Sequence, residues 1–543
     1  MNLSRRRLLG SAGVGAGAAA LGLHAAGFSS GTAWATPRFS GDPFRLGVAS
    51  GDPLPTGVVL WTRLAPEPLA LDGRGGMPER SVTVEWQVAE DERFGRVVRA
   101  GEVAAVPELG HSVHVEVDGL APGRGYWYRF RSGRELSPVG RTRTAPDPLA
   151  AITGPATDPA AVSFAFASCQ CWYDGFYTAY RHMAAEDLDF VVHLGDYLYE
   201  SGVGPTAGVR CLELDASFQR ETYTLSEYRN RHALTRLDAD LQAAHRAFPW
   251  ILTWDDHEVE NNWAADVAQW DSDGFPDADP EAFRARKAVA FQAYYEHLPL
   301  RLPQRPDGAD VRMYRRLGFG GVLDLHVLDS RSYRDDQVCG DGTKPGCDVE
   351  RSDPARTMLG AEQEAWLLDG AARSGATWNV LANQTLVAQV DQDPDPAVLA
   401  SGLDMWDGYT AARDRLLTGL YERGAANPVV LTGDIHRSVV ADLRLDFADE
   451  ASPVVATEFA GTSISSGRDG AAMDQVGYDW MAPGVNPHLR WHNAQRGYTV
   501  LRLTSDELRA DYRVVPYVTV PGAPVETAAA FTVEPGRPGA QPA

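Results

Sequence analysis

The first part of the chain alternates apolar and polar residues with a period of two. Between Phe44 and Thr144 the apolar runs are short, and turn residues separate them. Because this alternation is typical of strands with one buried face, we predict a small antiparallel β-sandwich here. The clearest predicted strands are Val82–Val88, Val113–Val117 and Tyr126–Phe130.

The pattern changes after a segment rich in Pro, Ala, Gly and Asp. Beyond it, fully apolar runs alternate with longer helical stretches. Runs without a polar face indicate strands buried on both sides, so we predict an α/β fold in which helices cover the sheets. The predicted buried strands are Phe164–Ala167, Phe190–Leu194, Trp250–Trp254, Leu323–Leu328, Asn379–Ala382 and Pro428–Thr432.

These changes of pattern predict five segments along the chain. They are a leader at 1–35, a fibronectin type III-like β-sandwich domain at 36–145, a linker at 146–160, a catalytic domain at 161–520 and a C-terminal tail at 521–543. The tail is rich in Pro, Ala and Gly, and we expect a loose end or a flap.

The leader has the features of a twin-arginine export signal. Arg5, Arg6 and Arg7 precede a weakly apolar, glycine-rich stretch, and Ala33–Ala35 forms a small-residue cleavage site. An uncleaved membrane anchor is the alternative, but many glycines weaken partition into hydrocarbon. We therefore expect the twin-arginine translocation machinery as a partner and a secreted, extracellular or periplasmic location.

The charge of the chain excludes several classes of partner. Its 543 residues include 50 Lys and Arg against 73 Asp and Glu, a net charge of −23 that becomes −26 without the leader. So acidic a chain is a poor nucleic-acid binder, and we expect no such partner. Because no other apolar run approaches the ~20 residues of a membrane span, we expect no stable membrane insertion, and a monomer.

The cysteines predict one disulfide. Five are present, so in an oxidising compartment at least one thiol stays unpaired. Cys339 and Cys347 bracket a short Gly-containing loop and are the predicted pair, and Cys171 with Cys211 is a weaker second possibility.

Five polar clusters each follow a predicted strand at its C-terminal end. In open α/β sheets ligands gather at these ends, so we expect the clusters to form one site. Carboxylates, an amide, a phenol, imidazoles and a thiol form a metal-binding set rather than a Ser/His/Asp triad, and they suit a ferric ion beside a harder divalent cation. The clusters are Ser168–Gln170, Gly195–Glu200, Asp255–Glu258, Asn383–Thr385 and Gly433–His436.

The order and spacing of these clusters resemble the calcineurin-like metallophosphoesterases and, within them, the PhoD-like alkaline phosphatase/phosphodiesterase family. The resemblance extends from about residue 44 to 520. It implies a layered α/β core of two packed sheets flanked by helices. Further segments that carry it are Gly47–Pro53, Leu60–Arg63, Trp254–Asn262, Asp404–Tyr409 and Glu458–Ser463.

The resemblance also implies a set of metal ligands. Ferric iron (Fe3+) would be bound by Cys169, Asp196, Tyr199 and His436. Asp196 would bridge to a calcium ion (Ca2+), whose further ligands would be Asp256, Asn383 and Asp434. Asp256 and Asp434 replace nitrogen donors of the general superfamily motifs, and oxygen donors favour calcium. The family is also reported to hold a second calcium, whose ligands the sequence does not place.

Such a centre implies a reaction. Two cations clamp the phosphate oxygens and activate a water, so that a hydroxide or oxide attacks phosphorus opposite the leaving alkoxide. His257, beside Asp256, is the predicted catalytic donor to the phosphoryl oxygen or the leaving group. Arg331 and Arg437 are candidate phosphate contacts, with solvated arginines of no function as an equal alternative.

Three functions stay open at this point. The first is a secreted phosphomonoesterase and phosphodiesterase that releases phosphate from extracellular organic esters. The alternative is a phospholipase D-like phosphodiesterase acting on lipid headgroups, for which an apolar rim around the site would be diagnostic. The third is a non-catalytic binding protein, which the intact ligands of all five clusters disfavour.

Overall fold

The computed structural model describes residues 37–147, 161–269 and 276–543. The predicted export signal at 1–35 and most of the predicted linker at 146–160 lie outside the described residues. Among the helices within these ranges, none combines the length and apolar character that a membrane crossing requires.

The N-terminal part is the predicted β-sandwich. In strand Gly125–Ser132 every second residue is buried, which gives the sheet an apolar inner face. That face meets a second sheet across a core that includes Leu60, Val84, Val115 and Tyr128. The strands are β1 Val48–Leu54, β2 Gly57–Arg63, β3 Val82–Ala89, β4 Val97–Ala105, β5 Ser112–Asp118, β6 Gly125–Ser132, β7 Glu135–Leu136 and β8 Gly140–Arg143.

The larger part combines sixteen further strands with eight helices among the described residues. The strands are β9 Val162–Ala167, β10 Phe190–His193, β11 Pro249–Leu252, β12 Arg315–Phe319, β13 Leu323–Val327, β14 Thr343–Pro345, β15 Trp378–Ala382, β16 Ala400–Gly402, β17 Pro428–Thr432, β18 Ser438–Arg444, β19 Val454–Ala460, β20 Leu489–Asn493, β21 Arg496–Leu503, β22 Leu508–Val515, β23 Glu526–Glu534 and β24 Arg537–Pro542. The helices are α1 Thr178–Met183, α2 Leu225–Arg236, α3 Ala239–Ala247, α4 Pro280–His297, α5 Asp348–Arg351, α6 Gly360–Arg373, α7 Thr410–Glu422 and α8 Gln475–Trp480.

Two large sheets pack face to face between layers of helices, as the predicted fold class requires. One has the order β24-β23-β22-β21-β9-β10-β11-β1-β2-β5 and the other β12-β13-β15-β17-β19-β18-β20. Strand β10 shows the reason for the layers. Phe190 and Val192 belong to the core between the sheets, whereas Val191 packs on the helix side. A strand covered on both faces is mostly apolar, which explains the long apolar runs, and His193 at the end of β10 is a buried exception.

The centre of each sheet is parallel, and this places the polar clusters. Strands β9, β10 and β11 pair in parallel in one sheet, and β13, β15 and β17 do so in the other. The six predicted buried strands are therefore confirmed. Because parallel strands end at the same edge, the residues that follow them meet there.

The C-terminal residues are not the loose end or flap that their composition predicts. Strands β23 and β24 extend the ten-stranded sheet. Phe531 is buried, and its ring centroid lies 5.8 Å from that of Trp491. Pro538 and Pro542 lie in β24, the edge strand, where a residue without an N–H group is tolerated. The prediction was wrong because small and cyclic residues hide the period-two pattern here.

The N-terminal sandwich shares a sheet with the catalytic part. Strand β1 pairs in parallel with β11, with Ser50 opposite Pro249 and Gly51 opposite Trp250. A Cβ atom on Gly51 would lie 2.2 Å from the carbonyl oxygen of Pro299, so this close approach requires glycine. The sandwich is thus continuous with the catalytic sheet, although the chain between the two parts carries a linker-like composition.

Candidate metal centre

The five polar clusters converge at the C-terminal ends of strands from both large sheets. The clusters supply three groups of possible metal ligands, and within each group the donor atoms lie within 4.8 Å of one another. Asp196 belongs to two of the groups and Asp256 to two, so the three groups form one continuous centre. The groups are Cys169, Asp196 and His436; Asp196, Asp256 and His257; and Asp255, Asp256 and Asp434.

Tyr199 completes the group around Cys169. Its hydroxyl donates to Asp196 Oδ2 at 2.8 Å and lies 3.1 Å from His436 Nε2. Ser466 donates to the same phenol oxygen at 2.7 Å. The four residues predicted to hold one metal ion are therefore brought together, with a thiol, a carboxylate, a phenol and an imidazole around a common point.

Four of the candidate ligands have left-handed backbone conformations. The φ angles are 58° for Cys169, 56° for Asp196, 62° for Asp434 and 54° for His436. Such a conformation costs about 1 to 2 kcal/mol for a residue with a side chain. The surrounding structure must hold it, and it turns each side chain sharply at the end of its strand. Strain of this kind concentrates at functional sites.

Asn383 has the orphan atom expected of a metal ligand. Its Nδ2 donates to the carbonyl of Thr385, which fixes the amide orientation. Its Oδ1 is buried and finds no hydrogen-bond partner among the described residues. Because an unpaired buried carbonyl is costly, a cation at this position would supply the missing interaction.

The electrostatics of the centre also fit cations. Burial raises the pKa of Cys169 well above its usual value, and the charge of Asp196 raises it further. Burial likewise raises the pKa of Asp196 and of Asp434, and neighbouring carboxylates add to the effect. Burial would raise the pKa of Asp256 too, but the charges of Arg331 and His257 lower it overall. Negative groups packed this tightly need positive charge to remain ionised.

His257 is held as a proton donor. Its Nδ1 lies 2.7 Å from Glu200 Oε2, and its ring centroid lies 4.1 Å from that of Tyr199. Burial lowers the pKa of His257, but the charges of Glu200, Asp196 and Asp256 raise it well above the usual value. The surrounding carboxylates thus favour the protonated imidazole, and the Glu200 carboxylate lies where it can accept a hydrogen bond from Nδ1.

Glu258 ties the loops of the centre together. Its carboxylate accepts hydrogen bonds from the backbone of Asp196 at 3.1 Å, Tyr197 at 2.6 Å and Asp255 at 2.8 Å. It thereby joins the loop after β10 to the loop after β11. The sequence analysis gave it no role, although it lies within the Asp255–Glu258 cluster that signals the site.

The two candidate substrate arginines occupy different positions. Arg331 is fully buried and ion-paired to Asp255 and Asp404. Its second NH2 group lies 3.6 Å from Asp434 and 3.8 Å from Asp256 and has no hydrogen-bond partner among the described residues. Arg437 is only partly buried and pairs with Asp474 at 3.0 Å.

The cysteines outside the centre form the one predicted disulfide. Cys339 and Cys347 form a disulfide with an S–S distance of 2.08 Å. Cys171 and Cys211 are both free thiols, one buried and one exposed, so the second possible pairing is absent from the described residues.

Comparisons with known proteins identify relatives of this chain. The sequence model of the family described as PhoD-like phosphatase matches residues 164–512, and that of PhoD-like phosphatase, N-terminal domain, matches residues 31–146. Alkaline phosphatase D of Bacillus subtilis (strain 168) is 48% identical over 509 residues, which are 93% of this chain and 83% of that protein. The solved structure of PhoD has a TM-score of 0.85 at 48% identity and covers 93% of both chains.

Proposed function

The chain belongs to the PhoD-like phosphatase family and is a phosphoric ester hydrolase, and from that premise we propose that it is an exported alkaline phosphatase and phosphodiesterase with an iron–calcium centre. The single observation that carries the proposal is the continuous centre of donor atoms built around Asp196 and Asp256. Both residues belong to two donor groups, which is the arrangement that two adjacent cations need.

The donor chemistry would suit two different cations. Thiolate, phenolate and imidazole donors suit ferric iron, so Cys169, Tyr199 and His436 would hold it together with Asp196. The oxygen donors suit calcium, so Asp256, Asn383 and Asp434 would hold it. The buried and unpartnered Oδ1 of Asn383 supports this assignment.

Each residue has a role in the hydrolysis of a phosphate ester. When bound, the two cations supply the positive charge that holds the phosphate and activates the attacking water. His257 Nδ1 faces the Glu200 carboxylate, whose charge favours the imidazolium form, and the imidazolium can donate its Nε2 proton to the phosphoryl oxygen or to the leaving alkoxide. Glu258 keeps the loops of Asp196 and Asp255 in position through their backbone N–H groups.

The arginines divide between the centre and the substrate. Arg331 lies within 4 Å of Asp256 and Asp434, so its charge favours the ionised form of these calcium ligands. Its buried NH2 group, 3.6 Å from Asp434 and 3.8 Å from Asp256, finds no hydrogen-bond partner among the described residues. Arg437, which is partly exposed, is the proposed contact for the outer part of the substrate.

Export follows from the leader. We propose that the twin-arginine machinery carries the folded, metal-loaded protein out of the cytoplasm, since residues 1–35 have the features of such a signal. Replacing Arg5, Arg6 and Arg7 by lysine keeps the charge and should retain the protein inside the cell, as measured by cell fractionation. Equal export of this variant would contradict the proposed route.

The decisive experiment uses the natively exported protein. Elemental analysis and a visible spectrum should find about one iron and at least one calcium per chain with a charge-transfer band. Turnover of a chromogenic phosphomonoester and a phosphodiester should fall on calcium chelation and return when calcium is added. Phosphatidylcholine, tested in parallel, separates the lipid-headgroup alternative, because its faster cleavage would replace the proposed substrate class. The proposal would be wrong if the protein held neither metal after reloading and cleaved no ester.

A further inference from the structure

A polar cavity, separate from the metal centre, lies next to the loop that carries Tyr199. Its volume is about 370 Å³. Four of the residues that line it carry hydroxyl groups, which donate hydrogen bonds to anions. They are Ser217, Thr222, Thr224 and Ser226.

Arg231 brings an unusual positive charge to the wall of this cavity. Its side chain is 2% exposed, and among the described residues no carboxylate lies within ion-pair distance of it. Its NH1 donates to the carbonyls of Tyr199 and Ser201, and its NH2 donates to the carbonyls of Phe218 and Arg220. Its guanidinium forms no direct ion pair with a carboxylate among the described residues, although the charge of Glu200 also acts on it, so an anion in the cavity would find a nearby positive charge.

The start of α2 adds to the positive potential. Thr224 is the N-terminal cap of this twelve-residue helix, and Ser226 lies in its first turn. The first N–H groups of a helix lack partners within the helix, and its dipole attracts anions there. The cavity thus combines a helix N-terminus with arginine and hydroxyl side chains.

The acid in the lining is already occupied. Glu227 Oε2 accepts hydrogen bonds from the backbone of Tyr223 and Thr224 and from the hydroxyl of Thr224. Its Oε1 is bound by Arg220 at 2.8 Å. With Arg220 and Arg231 against this one carboxylate, the residues that line the cavity carry a net positive charge.

Two buried polar side chains in the wall have atoms without partners. Asn230 is 5% exposed, and its Oδ1 finds no hydrogen bond among the described residues. The Nε of Arg231 also finds no hydrogen-bond partner among the described residues. Natural proteins rarely leave such atoms unpaired. An oxyanion could accept from the Nε–H of Arg231, whereas the Oδ1 of Asn230 is an acceptor and needs a donor such as water.

We propose that this cavity binds a tetrahedral oxyanion of the phosphate class, separately from the phosphate that the metal centre hydrolyses. Arg220, the Nε of Arg231, the hydroxyls of Ser217, Thr222 and Ser226 and the start of α2 supply the donors that its oxygens need. Leu71 and Phe218 form an apolar side of the same cavity, which leaves room for an organic substituent on the phosphate. The source is inorganic phosphate or an organic phosphate, since both present the same group.

Two variants test the site without touching the metal centre. Ser226→Asp places a carboxylate in the first turn of α2, where the helix dipole favours it, and should exclude a second anion. Arg220→Gln removes one rim cation and should weaken binding at the second site on the order of tenfold. Arg96→Gln is the matched control, because both arginines are about equally exposed and each pairs with a glutamate.

The measurement is calorimetric titration of the purified holoenzyme with inorganic phosphate. The natural protein and Arg96→Gln should bind two phosphates per chain, and Ser226→Asp only one. Titration with methylphosphonate, whose P–C bond an ester hydrolase leaves intact, distinguishes the two sources. Retention of two phosphates by Ser226→Asp, or a single site in the natural protein for both probes, would overturn the proposal. Ester turnover is followed in the same samples, so a failure of the proposed hydrolysis is seen independently of phosphate stoichiometry.

Discussion

At the scale of single residues, the centre combines unfavourable backbone conformations with closely spaced carboxylates, and other residues hold both in place. Cys169, Asp196, Asp434 and His436 all have positive φ angles, and the carboxylates lie close enough to repel one another. Glu258 anchors the loop of Asp196. The predicted ligands and the predicted proton donor are different residues, so mutations can test the two roles separately.

His257→Ala should lower turnover by about 10²- to 10⁴-fold, because the proton at Nε2 is lost from the reaction. Metal content should stay close to that of the natural protein, measured by elemental analysis beside steady-state kinetics. His182→Ala is the control, since His182 bonds only the carbonyl of Ala523, outside the centre. Loss of metal in His257→Ala would instead place His257 among the ligands, which its position in the group with Asp196 and Asp256 permits.

Tyr199→Phe and Cys169→Ala should each remove the visible absorbance of the pure protein. The physical reason is that phenolate and thiolate bound to ferric iron absorb visible light by charge transfer. Tyr197→Phe is the matched control, because Tyr197 is also buried but its hydroxyl contacts His245 rather than the centre. A spectrum that both variants share with the natural protein would remove Tyr199 and Cys169 from the iron site.

At the scale of elements, the last two strands matter more than their composition indicates. Strand β23 pairs with β22 over seven positions from Leu508 to Val514, so it is an integral part of the ten-stranded sheet. Phe531 and Val533 project from it into the core between the sheets. The C-terminal residues thus stabilise the fold that carries the centre.

Phe531→Ala should lower the free energy of unfolding by about 3 to 5 kcal/mol, the usual cost of removing a buried phenyl ring. Urea denaturation followed by circular dichroism measures the change as a shift of the midpoint. Glu534→Ala, at the exposed end of the same strand, should change stability by no more than about 0.5 kcal/mol. Equal midpoints for the two variants would mean that β23 contributes nothing to the core.

At the scale of the whole molecule, the sandwich and the catalytic part form one structure. The sheet continues from β2 through β1 to β11 by hydrogen-bonded pairing. Side chains reinforce this junction. Arg315 binds both carboxylate oxygens of Asp52 at 2.7 and 2.9 Å, and Arg301 donates to the carbonyl of Asp52. Both partners of this ion pair are largely buried.

Asp52→Asn should destabilise the whole protein by about 3 kcal/mol, because it leaves a buried arginine without its counter-charge. Asparagine tolerates the φ of 40° at this position, so the variant changes charge and little else. The heat stability of ester turnover and the unfolding midpoint should fall together. Asp369→Asn, which breaks only exposed pairs with Arg373 and Arg423, should cost about 0 to 1 kcal/mol. A stable catalytic part in Asp52→Asn would show that the sandwich folds independently.

Much of this architecture follows from local sequence. A strand covered on both faces is mostly apolar, so β10 and β17 are visible as apolar runs, each with one buried polar residue at its end. The polar residues directly after such strands can only lie at the sheet edge, which is why Asp196 and Asp434 could be predicted as part of one site. These properties depend on neighbours in the chain.

Other features depend on partners that are distant in the chain, and only the tertiary structure decided them. Glu258 acquires its role by accepting from Asp196, 62 residues away, and Arg331 is an internal counter-charge because Asp255 lies against it. Strand β23 and the junction of β1 with β11 likewise exist through pairing rather than through their own composition. Residue type and strand position are local, so the sequence alone indicates which residues are candidates for the chemistry. The tertiary structure decided which charges balance, since hydrogen bonds and ion pairs between distant segments form only when the fold brings them together.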